Sequence, residues 1–400
     1  MGKKLIRLTV LAALALLVGL GAVALVRNES VTRFLVERKL DQVLEDYADK
    51  VVLKTIARAV QDFRLLEQAA VRLRAEPTDG NAAAAAEAWR TARAQWKKTA
   101  TFMFGPAAHY NFDKQLDTFP LDRPLVDHLL GEMTAGRVAV DERYLREELL
   151  STQRGLPAAE YLLFRDGKPR RAKDMTPAEL EYLVAATRAM TLESMDFEAS
   201  WAGSSRMPAD KAALLKAAGM RTRSSYADEF KHPGAPGSRY LSHSVALQEI
   251  FQESVAVTED LGDAIAGELD SANPRGGRTW YSRNGRADLL NILKSVENAY
   301  LGGAEGDRGH SVSELLASRD EVLDRRIRIA LADTAFRITE AAGPYGGNGE
   351  ERELLIRRAE SACHKLTARL SVAALLVAMD PSTRPFAPYG VPLPESHPMK

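Results

Sequence analysis

A chain of 400 residues with one cysteine, Cys363, cannot form an intramolecular disulfide. Its stability must come from a hydrophobic core, which this length permits. Neither sign of charge is in excess: 54 Lys and Arg face 54 Asp and Glu. That balance removes the broad basic field that nucleic-acid binding needs, and there is no acidic tail. The chain also lacks an HExxH pair, a P-loop and a nucleophile elbow. No credible strand pair and no tandem repeat of 20–50 residues is visible.

One long run lacks charge altogether. Leu8 to Val26 holds no ionisable residue, and Lys3, Lys4 and Arg7 precede it. As a helix these residues would rise about 28 Å, close to the thickness of a bilayer core. The basic flank predicts an inside N-terminus. The reading is an uncleaved anchor in the inner membrane through residues 8–26, with the rest periplasmic. A cleaved signal peptide and a soluble periplasmic protein form the alternative, with Ala22-Val23-Ala24 a poor cleavage site. No cysteine follows the run, so a lipoprotein is excluded.

Beyond the run, helical periodicity dominates. Apolar positions recur at three and four over 31–74, and helices are expected at 81–104, near 124–134 and 141–151, and from Leu156. Thr176-Pro177-Ala178-Glu179 reads as a capping box opening a helix to Ser200. Further helices are expected over 208–231, 240–269, 287–300, 311–342 and 350–379, with a polar loop from Asn273 to Arg286. Gly302-Gly303 ends one helix, and Ser311 with Glu314 reads as a second capping box. The expected fold is all-α, built of antiparallel bundles. Its parts are a leader over 1–29, an N-terminal bundle over 30–202, a C-terminal bundle over 203–380, and a tail over 381–400. Six prolines from Asp380 onward predict an extended tail.

The seven histidines are scattered. Glu229 and His232 form one E-x-x-H, where a di-iron bundle needs two. His128 with Glu132, and Glu360 with His364, could each offer two ligands on a helix face, but neither has a third. Cys363 sits in an apolar helical pattern and reads as a packed residue. Trp89, Arg93 and Trp96 share one face of a helix. Arg93 there either pairs with a carboxylate, Glu160 or Asp117, or grips an anionic ligand. In the run Gly155 to Phe164, Gly155 suits an unusual backbone angle, Pro157 suits the first helical position, and Glu160 falls in the first turn. A carboxylate leading so apolar a run needs a partner or a ligand. Tyr281, Ser282 and Asn284 enter a helix from a polar loop, where they can hold an anion, or where Asn284 caps the helix.

The run Gly155-Leu156-Pro157-Ala158-Ala159-Glu160 resembles the imelysin signature, Gly-x-His-x-x-Glu followed by an aromatic and leucines. Gly155 and Glu160 match, and Pro157 stands in the histidine place. Trp89 to Trp96 with Phe104-Gly105-Pro106 resembles the family's tryptophan-bearing helix and its end. Leu116 to Asp122, then Trp280 to Asn284 with Asp288, and Ala299-Tyr300-Leu301-Gly302, resemble further blocks. The resemblance implies two helical bundles around a shared cleft, an envelope location and a link to iron acquisition. Some members of the family were described as metallopeptidases. Its metal or active site uses the His and Glu of the motif, and only Glu160 carries over. Iron or zinc is therefore the implied cofactor, weakened by Pro157. The expected function is a non-catalytic envelope protein that takes a small ligand or partner protein in a cleft near Glu160, Arg93, Asp117, Tyr281, Ser282 and Asn284. The alternatives are a metal-dependent peptidase and a degenerate structural protein that binds a partner.

Overall fold

The computed structural model describes residues 36–269, 277–343 and 349–378. Leu8 to Val26 and the proline-rich tail lie outside the described residues. No described helix is long and apolar enough to cross a membrane.

Eight long or site-bearing helices carry the architecture. They are α1 (36–75), α2 (Asp79–Lys97), α3 (Gly155–Leu163), α4 (Pro177–Ala202), α5 (His243–Leu269), α6 (Gly285–Leu301), α7 (Glu321–Ala341) and α8 (Gly349–Ala378). α1 passes through a π-helical stretch, Tyr47–Leu53, before continuing over Lys54–Ala75. Its period of three and four places Leu40, Val43, Leu44, Tyr47, Ile56 and Phe63 in the core. α4 is buried around nearly its whole circumference. Such a helix must be wrapped by others. α1, α3 and several short helices do this, and α2 packs on α1. The second bundle is α5 and α7 against α8, with α6 on α5. α6 also packs on α2, so α2 and α6 join the two bundles. Residues between the bundles lie with the first: Tyr226 and Phe230 close on Trp201 and Phe104.

Local signals set most of the boundaries. Thr176 and Glu179 form a reciprocal capping box at 3.2 and 2.7 Å. Caps of this kind stabilise a helix by about 1 kcal/mol. Gly302 closes α6 in the left-handed conformation, at φ 78°. Other expectations are corrected. The helix expected over 208–231 is two, Ala209–Ala217 and Tyr226–Lys231, broken at Gly219 with φ 71°. The one expected over 311–342 is also split, because Asp320 starts a new helix by accepting from the Leu323 amide at 2.9 Å. Ser311 accepts from the Glu314 amide, but no reciprocal bond completes the box. A two-residue hairpin, β1 (Phe164–Arg165) with β2 (Lys168–Pro169), appears where no strand was expected. It follows α3 directly and turns through Asp166 and Gly167, both at positive φ.

Candidate functional site

Several polar links join the bundles, among them the Gly167 amide donating to the Tyr281 carbonyl at 2.8 Å. Arg93 on α2 reaches Asp288 on α6 at 2.8 Å. Thr101 donates to the Ser295 carbonyl at 3.2 Å. Glu160 on α3 accepts from the backbone N–H and the hydroxyl of Ser282, at 2.8 and 2.7 Å.

α3 is held so that this can happen. Gly155 adopts φ 78°, and a β-carbon on it would stand 2.5 Å from the Leu116 carbonyl oxygen. Only glycine permits both the angle and the approach. Trp89, fully buried, donates its indole N–H to the Leu156 carbonyl at 3.0 Å and packs edge-on to Phe164. Pro157 is the third helical residue, not the first, and Glu160 is the sixth. The expectation that the positive pole of α3 favours the Glu160 carboxylate is therefore corrected. The first turn carries no acidic residue, and the two donors come from Ser282, 122 residues away.

Glu160 is 2% exposed. Burial pushes its carboxyl up to about 7, against the pull of Arg93 and the two Ser282 bonds; Asp288 adds to the rise. Both bonds fall on Oε1, and among the described residues Oε2 makes none. The carboxyl lines a cavity of about 400 Å³. Its other walls include Phe119, Arg123, Pro157, Arg278, Trp280 and Tyr281.

Arg93 and Asp117 lie off this cavity. Arg93 is 1% exposed and its partners are Asp117 at 2.7 Å and Asp288, not Glu160. Burial alone would lower the guanidinium, but Asp117, Asp288 and Glu160 hold it above its ordinary value. Burial would likewise raise Asp117, yet Arg93 and Lys97 hold it below the usual carboxylate range. Lys97 donates to Asp117 at 2.5 Å. This arginine is turned to its two carboxylates and does not line the cavity. Asn284 stands at the N-cap of α6, but its side chain makes no cap; it donates to Asp288 at 2.8 Å. Ser282 is buried beneath the cavity, and Tyr281 forms its wall.

The metal implied by the family motif finds no donor set here. Pro157 offers no ligand atom, and among the described residues no group of three His, Cys, Asp or Glu could hold an ion. A divalent transition metal takes three or four such donors. Glu132 pairs with Arg137 at 2.6 Å, Glu229 with Arg239 at 2.8 Å, and His364 is exposed. Cys363 donates to the Thr258 carbonyl at 3.1 Å, and burial pushes its thiol up to about 12. It is a packed residue.

The sequence did not single out Phe119, Arg123, Trp280 and Arg278 as cavity walls. Phe119 and Trp280 fall inside motif blocks, and a lone arginine at a helix start, like Arg123, or on a loop, like Arg278, carries no periodic signal. Arg123 and Arg165 flank the Tyr161 ring at 5.4 and 4.5 Å, and Arg165 also sits 5.4 Å from the centre of Tyr281. Tyr161 donates its hydroxyl to Asp127 at 2.6 Å.

Comparison with known proteins bears on this geometry. The imelysin family model (Peptidase_M75) matches residues 52–371. The iron-regulated protein A of Synechococcus elongatus is 28% identical over 289 residues, 72% of each chain. Among solved structures, an iron-regulated protein A precursor from Parabacteroides distasonis superposes with a TM-score of 0.68 at 24% identity, over 85% of this chain and 95% of that one. An imelysin-like protein from Psychrobacter arcticus does so with a TM-score of 0.56 at 18% identity, over 85% and 93%. These two likenesses concern the fold.

Proposed function

The chain belongs to the imelysin family, and from that premise we propose that it is a non-catalytic, ligand-binding protein of the cell envelope that serves iron uptake. The iron link rests on the name of the Synechococcus relative. The envelope location rests on the basic flank and the uncharged run Leu8 to Val26, taken as an inner-membrane anchor. One observation carries the binding role: Glu160 is buried at the seam of the two bundles, lines a cavity, and among the described residues is bonded through one oxygen only. A carboxyl kept for structure would be fully paired. Perturbed acids in clefts mark functional sites more often than chance. The poor donor set disfavours a metallopeptidase.

The test is the stability of Glu160→Gln. The folded carboxyl titrates near 7, above its unfolded value. The folded state therefore binds the extra proton, and the stabilising contribution is complete below the unfolded value. It is lost as pH rises through the folded one, and ionised Glu160 then costs stability. Glutamine cannot ionise and can still accept from Ser282. Denaturant melts should show the variant gaining about 1–3 kcal/mol on wild type between pH 4 and pH 8. A variant equally destabilised at both pH values would mean that the carboxylate is structural, and would defeat the reading.

A further inference from the structure

We propose that the Glu160 cavity binds an anion carried on a flat aromatic ring, an aromatic carboxylate or catecholate. This inference rests on the reading of the cavity as a ligand site and names what the ligand is.

The walls argue for it. Phe119, Trp280 and Tyr281 line the cavity, and Trp280 and Tyr281 meet edge-on with centres 4.7 Å apart. Phe119 is 44% exposed, so its ring is open to a ligand in the cavity. An apolar chain would fill such a space, but the charge at its rim would then be wasted. Arg123 and Arg278 both line it. Among the described residues Arg278 makes no ion pair through its side chain; its backbone N–H donates to Glu268 at 2.9 Å. Arg123 shares Asp127 at 3.2 Å with the Tyr161 hydroxyl. Arg165 stands behind Tyr281 and Tyr161, donates to the Tyr161 and Phe164 carbonyls, and has no carboxylate partner among the described residues. Three arginines thus surround an aromatic wall, with Asp127, Glu160 and Glu268 the acids beside it. An arginine is suited both to bind a carboxylate through two N–H groups and to stack on a ring. Glu160 Oε2 gives a hydroxyl beside the carboxylate somewhere to bond. The cavity is within the usual size for a small-molecule site.

Free aromatic acid and its ferric chelate share this chemistry, and the experiment separates them. The full-length protein is titrated calorimetrically with 2,3-dihydroxybenzoate and with the ferric complex of the same acid. Cyclohexanecarboxylate and benzylamine serve as controls for the ring and the charge. We expect one-to-one binding of the free acid or of the ferric complex. Binding should weaken about tenfold or more in Arg278→Ala and in Phe119→Ala, the loss of one charge-assisted contact or one stacking surface. Both residues are exposed enough to be replaced without unfolding the chain. The preferred form of the probe identifies the source: the chelate if only the ferric complex binds, the free acid otherwise. No binding of either probe by folded protein overturns the inference. So does benzylamine binding as tightly as the acid, or cyclohexanecarboxylate binding equally well. Such a failure leaves the ligand-binding reading standing, since that falls on the Glu160→Gln melts.

Discussion

Replacing Arg93 with leucine should lower the stability of the protein by about 3–5 kcal/mol, the cost of stranding buried charge. In a chain of this size that is a fall in Tm of roughly 4–7 °C. The guanidinium is 1% exposed and lies between Asp117 at 2.7 Å and Asp288 at 2.8 Å. Leucine fills much of the volume beside Trp89 but leaves both carboxylates in the core. Lys97 still reaches Asp117, and Asn284 still donates to Asp288, so the loss stops short of a bare buried ion. Arg93 also joins α2 to α6, and the variant should loosen the seam on which Glu160 depends. Calorimetric melting at neutral pH measures this. A Tm within about 1 °C of wild type, less than about 1 kcal/mol in a chain of this size, would show the arginine to be dispensable. The triple Arg93→Leu, Asp117→Asn, Asp288→Asn should recover part of the loss, because it removes the stranded charges with their partner.

The second large effect is at Gly155. An alanine there would hold a left-handed φ and put its β-carbon 2.5 Å from the Leu116 oxygen and 2.8 Å from the Leu116 carbonyl carbon. Backbone of this kind costs about 1–3 kcal/mol by itself, and the overlap adds to it. Gly136→Ala is the control. Its φ is 70°, and nothing lies within 4 Å of the added carbon. We expect about 1 kcal/mol for the control and at least about 3 kcal/mol for Gly155→Ala. The difference measures how firmly α3 is pressed onto the segment that carries Asp117. Equal losses would mean that the angle alone matters and that the close approach relaxes without cost. Because α3 carries Glu160, the variant should also shift the Ser282 contact.

What the sequence made legible divides by range. Helix ends were readable because their determinants are local: Thr176 with Glu179, or the left-handed Gly302. The core face of α1 was readable because its period is unbroken. The pairing of Arg93 with Asp117 spans 24 residues and was one of two guesses from a stripe of aromatic and basic positions. Its second partner, Asp288, lies 195 residues away, and nothing near either residue in the chain points to the other. Glu160 and Ser282 were each marked by their own motif, but the bond between them needed the two bundles to be docked. The arginines of the cavity rim left no trace, since a solvated arginine and a ligand-binding one look alike in a sequence. Short breaks were also missed. Gly219 and Asp320 each interrupt a pattern whose apolar spacing carries through the gap.

The resemblance to the imelysin signature was legible, and its departure at Pro157 matters most. A His in that place would stand one turn from Glu160 and give a second donor beside a carboxyl already at the cavity. Proline leaves the carboxyl alone with Ser282, arginines and aromatic rings.

The most direct test of this account is therefore metal titration of the full-length protein beside Glu160→Ala, with iron and zinc, followed by metal analysis of the dialysed samples. The account predicts that neither protein retains stoichiometric metal at micromolar concentrations, and that the two behave alike. One iron or zinc per chain in the wild type, lost in Glu160→Ala, would place a metal at Glu160 and contradict the reading of the cavity as a site for an organic anion.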